Sequence, residues 1–190
     1  AESVDRAKVR RGLSIPEDAP IVINVSSFRP HKRHAFLVQV AEHVLAQRQD
    51  VYFLLIGAGA LKEAIEEQVR VKGLSEHFRF ISGAPNIDHY WMSADVFAFP
   101  SCNEGFGIVV VEAAAAGLNV VAQDIPGVRE AAAACPNAIL LPLETPIKKW
   151  AHRLLDVLKE LRIPETQRHK LLKEFPFTIE KSIKKLREVY

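Results

Sequence analysis

The feature that most constrains the fold is the alternation of short, continuously apolar runs with amphipathic stretches. Residues 21–27 and 51–56 form the first two apolar runs. The stretch between them carries apolar residues at helical spacing, namely Leu37, Val40, Ala41, Val44 and Leu45. Continuously apolar strands are buried on both faces, which is typical of a parallel sheet covered by helices. The sequence therefore predicts an α/β fold with a doubly wound, mostly parallel sheet and helices on both faces.

The same pattern continues along the rest of the chain. Further strands are predicted at residues 78–81, 96–99, 119–122 and 138–141. Helices are predicted at residues 32–48, 61–73, 86–91, 107–116, 145–161 and 178–189. The only break in composition lies between Pro164 and Pro176. We therefore expect one domain over residues 1–190, with a core of about residues 1–162 and a helical tail of about residues 163–190.

Composition and charge exclude several classes of function. The net charge of +2 lacks the strongly basic footprint of a nucleic-acid-binding protein. The two cysteines, Cys102 and Cys135, form no zinc-binding pattern. No apolar run reaches the roughly 20 residues that span a bilayer, and the charged residues 1–11 do not resemble a signal peptide. These features predict a cytoplasmic protein without a nucleic-acid partner.

The loop that follows the predicted strand 96–99 has the composition of a ligand site. In doubly wound sheets, ligands bind at the carboxyl ends of the strands. Here Gly105 and Gly107 flank Phe106 directly before a predicted helix, so a ligand can approach the backbone closely. The free N–H groups at the helix start, near Gly107, Ile108 and Val109, favour an anion such as a phosphate.

Two carboxylates flank this predicted anion site. Glu104 precedes the glycines, and Glu112 lies on the predicted helix among apolar residues. A carboxylate on an apolar surface is costly without hydrogen-bond donors, which sugar or ribose hydroxyls provide. Taken alone, each glutamate fits an exposed or ion-paired side chain equally well. The arrangement as a whole suits a ligand with phosphates in the middle and hydroxyls at each end, which describes a sugar nucleotide.

The segment PSCNEGFGIVVVEAAAAG, residues 100–117, resembles the signature of the retaining glycosyltransferases of family 4. That signature has two glutamates separated by seven residues, with glycines and an aromatic residue after the first. The resemblance extends over about residues 6–161. It implies a GT-B fold, in which two Rossmann-like domains face each other across a cleft and the C-terminal domain binds the nucleotide-sugar donor.

The resemblance also implies roles for the residues of the signature. Glu104 would contact the hydroxyls of the donor sugar, and Glu112 would hold the ribose hydroxyls. The backbone of residues 105–107 would line the sugar. The start of the following helix, at Ile108 and Val109, would face the distal phosphate.

Two further loops are similar to donor-binding loops of the family. VSSFRPHKRH, residues 25–34, resembles the loop that supplies a lysine to the diphosphate, and Lys32 falls at that position. Together with Glu104, Lys32 is the residue that the resemblance assigns to catalysis. Ser82 and Gly83 fall beside the nucleobase.

One basic position of the family departs from its usual residue. Many members carry an arginine where this chain has Ser27. Our hypothesis is that Arg29 replaces it in binding the phosphates, and Arg33 is the alternative, because a guanidinium suits bidentate contact with phosphate. His31 and His34 are expected to face solvent or lie near the phosphate.

The resemblance defines the expected activity and partners. It predicts the donor-binding domain of an enzyme that moves a hexosyl group to a glycan or lipid-linked acceptor, with UDP-sugars favoured over GDP-sugars. The sequence of residues 27–34 is similar to that of the family branch that builds bacterial capsular polysaccharides and exopolysaccharides. The chain lacks an Asp-x-Asp motif, so we expect no metal and no cofactor. The N-terminal acceptor domain is absent, so the chain alone should be inactive. Peripheral contact with the inner face of the membrane is a further expectation.

Three other functions compete with this interpretation. The first is a non-catalytic module that binds sugar nucleotides, and the second is a nucleotide-sugar epimerase of related fold. The third is an NAD-dependent oxidoreductase. It is disfavoured because Gly57 and Gly59 lack the third glycine of the dinucleotide fingerprint, and a tight turn between strand and helix explains them.

Overall fold

The computed structural model describes residues 5–133 and 135–160. The strands in this part of the chain are β1 (Ile21–Val25), β2 (Tyr52–Ile56), β3 (Phe78–Ile81), β4 (Val96–Phe99), β5 (Asn119–Gln123) and β6 (Ala138–Leu141). The α-helices are α1 (Arg6–Gly12), α2 (His34–Leu45), α3 (Lys62–Val71), α4 (Ile87–Ser93), α5 (Ile108–Ala115), α6 (Pro126–Ala132) and α7 (Ile147–Val157). Short 3-10 turns cover Pro30–Lys32 and Ser75–His77.

The strands form one sheet in the order β3-β2-β1-β4-β5-β6, and every pairing between neighbours is parallel. This confirms the predicted doubly wound α/β fold. The chain runs outward from β1 to β3, crosses back, and continues from β4 to β6. The order of the strands therefore reverses between β1 and β4, and a crevice for ligands opens at such a point in this class of sheet.

Two apolar layers cover the two faces of the sheet. Alternate residues of β1 belong to different layers, with Ile21 and Ile23 in one and Val22 in the other. Helices α4, α5 and α6 pack in the first layer, and α2, α3 and α7 pack in the second. Trp150 of α7 is fully buried in the second layer. Burial of both faces explains why the strands are apolar without alternation.

Helices α1 and α6 were not predicted from the sequence. Helix α1 is held by tertiary contacts, because Arg10 is buried and its guanidinium bonds to the Asp95 carboxylate and to the carbonyl of Ser93. Helix α6 buries small residues, which give a weak amphipathic pattern, namely Gly127, Val128, Ala131 and Ala132. Neither helix carries a strong local signal of its own.

Predicted boundaries of the other elements differ from the structure by a few residues. Helix α2 begins at His34, because Pro30–Lys32 forms a 3-10 turn before it. Strand β1 ends at Val25, and helix α7 covers Ile147–Val157. The predicted helix 178–189 and the tail from residue 163 lie outside the described residues. Within the described residues, no helix has both the length and the apolar character needed to cross a bilayer.

Candidate functional site

Strands β1 and β4 place their following loops side by side at the carboxyl edge of the sheet. Asn24 is buried inside the otherwise apolar strand β1, and its Nδ2 atom donates to the carbonyl of Ala98 in β4 over 2.8 Å. This side-chain bond links the two strands close to the edge. It fixes the floor of the crevice that the loops surround.

The loop after β1, residues 26–33, rests on the loop after β2. The N–H of Phe28 donates to the carbonyl of Ala58 over 2.9 Å. A Cβ atom on Gly57 would overlap the carbonyl group of Ser26, and one on Gly59 would lie 2.6 Å from the carbonyl oxygen of Phe28. The two glycines therefore let the backbones of these loops touch, and they support the β1 loop.

The β1 loop is also joined to the loop after β4. The N–H of Cys102 donates to the carbonyl of His31 over 2.8 Å, and Ser101 Oγ donates to the same carbonyl over 3.2 Å. Beside these bonds, Lys32 Nζ forms an ion pair with Glu104 Oε1. The lysine and glutamate side chains are only 14% and 13% exposed. The structure thus brings together the two residues that the sequence assigned to catalysis.

The environment of this ion pair allows it to exchange partners. Lys32 Nζ lies 5.3 Å from the centroid of the Phe99 ring, at a distance that favours a cation. Removing both charges from water costs free energy that a single ion pair only partly recovers. An anionic ligand with hydroxyl groups could bind Lys32 through its anion and offer its hydroxyls to Glu104, so that both charges keep partners.

His34 lies beneath the β1 loop and does not face solvent as expected. Its ring stacks on Phe28 with centroids 4.1 Å apart, and its Nε2 atom is 3.1 Å from Ser26 Oγ. Since the Ser26 hydroxyl donates to Asn24 Oδ1 over 2.8 Å, Nε2 must be the donor to Ser26. Burial, with a smaller contribution from the charge of Lys32, lowers the pKa of His34 to about 4. A neutral, buried imidazole thus supports the loop.

Arg33 and Arg29, the two candidate phosphate-binding arginines, have different surroundings. Arg33 has a left-handed backbone (φ 56°), its Nη1 donates to Gln123 Oε1 over 2.9 Å, and its guanidinium lies 4.2 Å from the Phe36 ring centroid. Arg29 is exposed, and its guanidinium has no partner among the described residues. The geometry therefore favours Arg29 over Arg33 as a group available to a ligand.

The start of helix α5 forms another side of the site. Gly107 adopts a left-handed backbone (φ 72°) directly before Ile108, the first residue of the helix. The first N–H groups of a helix have no acceptor within it, so those of Ile108 and Val109 remain available to an anion. The Ile108 side chain is 62% exposed. This arrangement agrees with the anion site expected from the glycine spacing.

Glu112 lies one turn further along α5, on its exposed side. The sequence pattern suggested a carboxylate set into an apolar surface, and the neighbours of Glu112 at helical spacing, Ile108, Val109 and Ala115, are apolar and exposed or half-buried. Partial burial still raises the pKa of Glu112. Within the described part of the chain its carboxylate has no hydrogen bond or ion pair, so it is free to accept bonds from a ligand.

The family model described as "Glycosyl transferases group 1" matches residues 5–173. The chain belongs to this family. Among curated relatives, it is 32% identical to the putative glycosyltransferase EpsF of Bacillus subtilis, over 80% of this chain and 39% of EpsF. It is 30% identical to a D-inositol 3-phosphate glycosyltransferase of Corynebacterium urealyticum, over 95% of this chain and 45% of that protein. The chain thus spans less than half of the length of these relatives.

Solved structures show the same fold. TarM superposes with a TM-score of 0.79 at 22% identity, over 92% of this chain and 36% of TarM. HepE of Anabaena, solved with UDP and glucose, superposes with a TM-score of 0.71 at 22% identity, over 88% of this chain and 45% of HepE. Both comparisons show that the chain shares the fold of part of these structures, in agreement with the GT-B fold that the resemblance implied.

The remaining predicted site residues lie at the carboxyl edge of the sheet, as Lys32 and Glu104 do. Ser27 is half-buried in the β1 loop, Gly105 is exposed, and Phe106 is half-buried in the β4 loop. Ser82 and Gly83 are exposed after β3, with β2 between them and β1. The edge therefore divides into an inner part around β1 and β4 and an outer part around β3. The roles of these residues stay predictions.

Three residues that support the site were not predicted from the sequence. Asn24 and Gln123 are polar side chains buried in β1 and β5, and Gln123 Nε2 donates to the carbonyl of Leu141 over 2.6 Å. Gly127, at the start of α6, touches the backbone of Glu104. A polar residue inside an apolar strand was a readable signal for the first two. No local pattern marks Gly127.

Proposed function

We propose that this group 1 glycosyl transferase chain forms the donor-binding domain of a retaining hexosyltransferase that uses a UDP-sugar. The observation that carries the proposal is the ion pair between Lys32 and Glu104 at the reversal point of the sheet, beside the free N–H groups of α5. A cation, hydrogen-bond donors and a carboxylate thus converge on one crevice. Two similar structures, those of TarM and HepE, were solved in complex with UDP, which favours UDP over GDP.

The diphosphate of the donor binds between the β1 loop and the start of α5. Lys32 leaves Glu104 and pairs with the phosphates, while the N–H groups of Ile108 and Val109 donate to the phosphate next to the sugar. Arg29, which is exposed and unpaired, supplies a second cation. Fixed backbone dipoles and charges of this kind stabilise an anion at little cost of reorganisation.

The two glutamates bind the two ends of the donor that carry hydroxyls. Glu104, released from Lys32, accepts hydrogen bonds from the donor sugar, beside the backbone of Gly105 and Phe106. Glu112 lies one turn into α5 without a partner in the described residues and accepts bonds from the ribose. The base then lies toward the outer part of the edge, near the backbone of Ser82 and Gly83.

Transfer with retention follows from stabilising the departing diphosphate. The acceptor hydroxyl attacks the anomeric carbon from the side of the leaving group, the bond from that carbon to the phosphate oxygen breaks, and the hydroxyl proton passes to the diphosphate. Lys32 and the N–H groups of α5 offset the negative charge that develops on the leaving group. The two glutamates contact different parts of the donor, so they do not act as the acid and nucleophile of a glycoside hydrolase.

The acceptor is a glycan or a lipid-linked sugar, and it is held by a partner half of the enzyme. This part of the proposal is supported by the relatives, of which the chain matches 39% to 45% of the length. The activity belongs to the complete enzyme. The isolated chain is expected to bind the donor and to transfer no sugar.

Thermal unfolding with a panel of nucleotides tests the proposal, because a ligand that binds only the folded state raises the Tm. The panel contains UDP, GDP, ADP, NAD, UDP-glucose, UDP-N-acetylglucosamine and GDP-mannose. We expect a shift with UDP and with at least one UDP-sugar, and its loss in Lys32→Ala and Glu112→Ala. Lys159→Ala and Glu63→Ala change exposed residues, the first just after α7 and the second on α3, and serve as matched controls. A shift with NAD alone, or no shift with any diphosphate, contradicts the proposal.

A further inference from the structure

Helix α6 contacts the segment that carries Glu104. Strands β4 and β5 are neighbours, so the loops that follow them meet at the carboxyl edge. Gly127, the second residue of α6, is buried there. A Cβ atom on Gly127 would overlap the carbonyl oxygen of Glu104 and would lie 2.6 Å from the carbonyl oxygen and 2.8 Å from the carbonyl carbon of Gly105. All of these neighbours are backbone atoms, so no flexible side chain can give way.

The glycine at this position is explained by space rather than by backbone conformation. Gly127 is part of an α-helix and is not among the described glycines with positive φ. In a helix, alanine is more favourable than glycine by about 1 kcal/mol. A residue larger than glycine is therefore excluded only because the two peptides that flank Gly105 lie against the helix.

A second contact from α6 reaches the other end of the same segment. A Cβ atom on Gly107 would lie 3.3 Å from Val128 Cγ2, so the start of α5 also fits closely against α6. From the opposite side, the β1 loop binds this segment through Lys32 and Glu104. Residues 104–107 are thus held between α6 and the β1 loop.

We propose that Gly127 is a positioning residue that sets the place of the two peptides flanking Gly105, and with them the part of the site that binds the donor sugar. The inference rests on the proposed function, in which Glu104 accepts bonds from that sugar. A methyl group on Gly127 must push these peptides toward the crevice. The diphosphate contacts of Lys32 belong to the other loop and are affected less.

The test compares Gly127→Ala with Gly12→Ala in the whole chain. Gly12 ends α1, and a Cβ atom there would have no neighbour within 4 Å, so the control adds the same methyl group in open space. Backbone amide resonances of residues 104–107 are recorded without ligand. Affinities for UDP, UDP-glucose and UDP-N-acetylglucosamine are measured by calorimetry. The gain from the sugar is the ratio of the affinity for each UDP-sugar to the affinity for UDP.

Gly127→Ala should shift the amide resonances of residues 104–107 and reduce the gain from the sugar about tenfold, with UDP affinity changed less than about threefold. Gly12→Ala should do neither. Unchanged resonances, or an equal loss for UDP and both UDP-sugars, would overturn the role of Gly127. If the unchanged chain binds none of the three ligands, the proposed function fails instead. Should Gly127→Ala not fold, Val128→Ala loosens the second contact of α6 with this segment and must shift the resonance of Gly107.

Discussion

Lys32 and Glu104 are ionic partners of each other across the gap between the β1 and β4 loops, and neither has another ionic partner among the described residues. Each side chain is largely buried by the two loops. The pair therefore keeps both charges compensated while the crevice is empty. A ligand that supplies an anion to the lysine and hydroxyls to the glutamate separates them without leaving either unpaired.

Replacing Glu104 tests this exchange. In Glu104→Gln, Lys32 loses its negative partner, so we expect UDP to bind about fivefold more tightly, which corresponds to about 1 kcal/mol. The additional affinity that a sugar gives over UDP alone should fall, because the neutral amide is a weaker acceptor for hydroxyls.

Calorimetry with UDP and with UDP-glucose measures both effects. Glu63→Gln, an exposed position on α3, is the matched control and should change neither affinity. Weaker binding of UDP itself to Glu104→Gln would contradict the exchange of partners.

Arg29→Ala distinguishes a phosphate-binding arginine from a structural one. We expect UDP affinity to fall about tenfold with little change in Tm, because a charge-assisted contact is lost and no contact within the described protein is broken. The loss should diminish at high salt, since an exposed charge is screened. Arg70→Ala on the exposed side of α3 is the control. Unchanged affinity for UDP in Arg29→Ala would end this hypothesis.

Arg33→Ala should mainly lower the stability of the chain, whereas Arg29→Ala should mainly lower its affinity for UDP. It leaves the buried Oε1 of Gln123 without its donor, which costs about 1 to 3 kcal/mol of stability. The free energy of unfolding should therefore fall, as measured by urea denaturation. A loss of UDP affinity as large as that of Arg29→Ala, at unchanged stability, would show that the assignment of the two arginines is reversed.

His34 predicts a dependence of stability on pH. Its pKa is about 4 in the folded chain and ordinarily about 6.5, so the unfolded chain binds the proton more readily. The stability that results from the lowered pKa of His34 is fully present above pH 6.5 and is lost as the pH falls toward 4. It amounts to about 3 kcal/mol at most over that interval.

Urea unfolding of the chain and of His34→Gln at several pH values between 7.5 and 4.5 isolates this effect. The difference in stability between the two should shrink as the pH falls. His152→Gln, exposed on α7, should follow the unchanged chain. A difference between His34→Gln and the unchanged chain that is constant over this range would refute the burial of a neutral imidazole.

Gly57 and Gly73 offer a comparison between close packing and backbone strain. A Cβ atom on Gly57 overlaps the carbonyl group of Ser26, whereas one on Gly73 (φ 70°) has no neighbour within 4 Å. Gly73→Ala should cost about 1 kcal/mol for the left-handed backbone alone. Gly57→Ala should cost more than twice as much and should also weaken UDP binding, because the β1 loop shifts. Equal losses of stability in the two variants would argue against the packing of these loops.

The sequence predicted the strands and the start of the helix after Phe106 well, because both depend on local patterns. Buried strands are continuously apolar, and the glycines around Phe106 mark a helix start by themselves. The bounds of β3, β4 and β6 agree with the predicted ranges. The meeting of Lys32 and Glu104 followed from their positions after strands of a doubly wound sheet.

The parts that could not be predicted depend on contacts between distant residues. Whether Arg33 or Arg29 is free depends on Gln123, which lies 90 positions from Arg33. The need for glycine at position 127 arises from peptides that belong to another loop. His34 is at the start of a helix, where exposure is usual, and its burial is due to Phe28. None of these contacts is marked in the sequence by a periodic pattern or a fixed spacing of residues.

The position of β1 beside β4 has a consequence for how the chain acquires its function. Pairing of β4 with β1 closes the long interval of chain that contains β2, β3 and α4, and closing so long an interval is slow compared with forming a helix or a hairpin. The crevice exists only after that closure. Nucleotide binding therefore requires that β1 and β4 have paired at the centre of the sheet. A partly folded or truncated chain that keeps all its helices but lacks this pairing would be unable to recognise the donor.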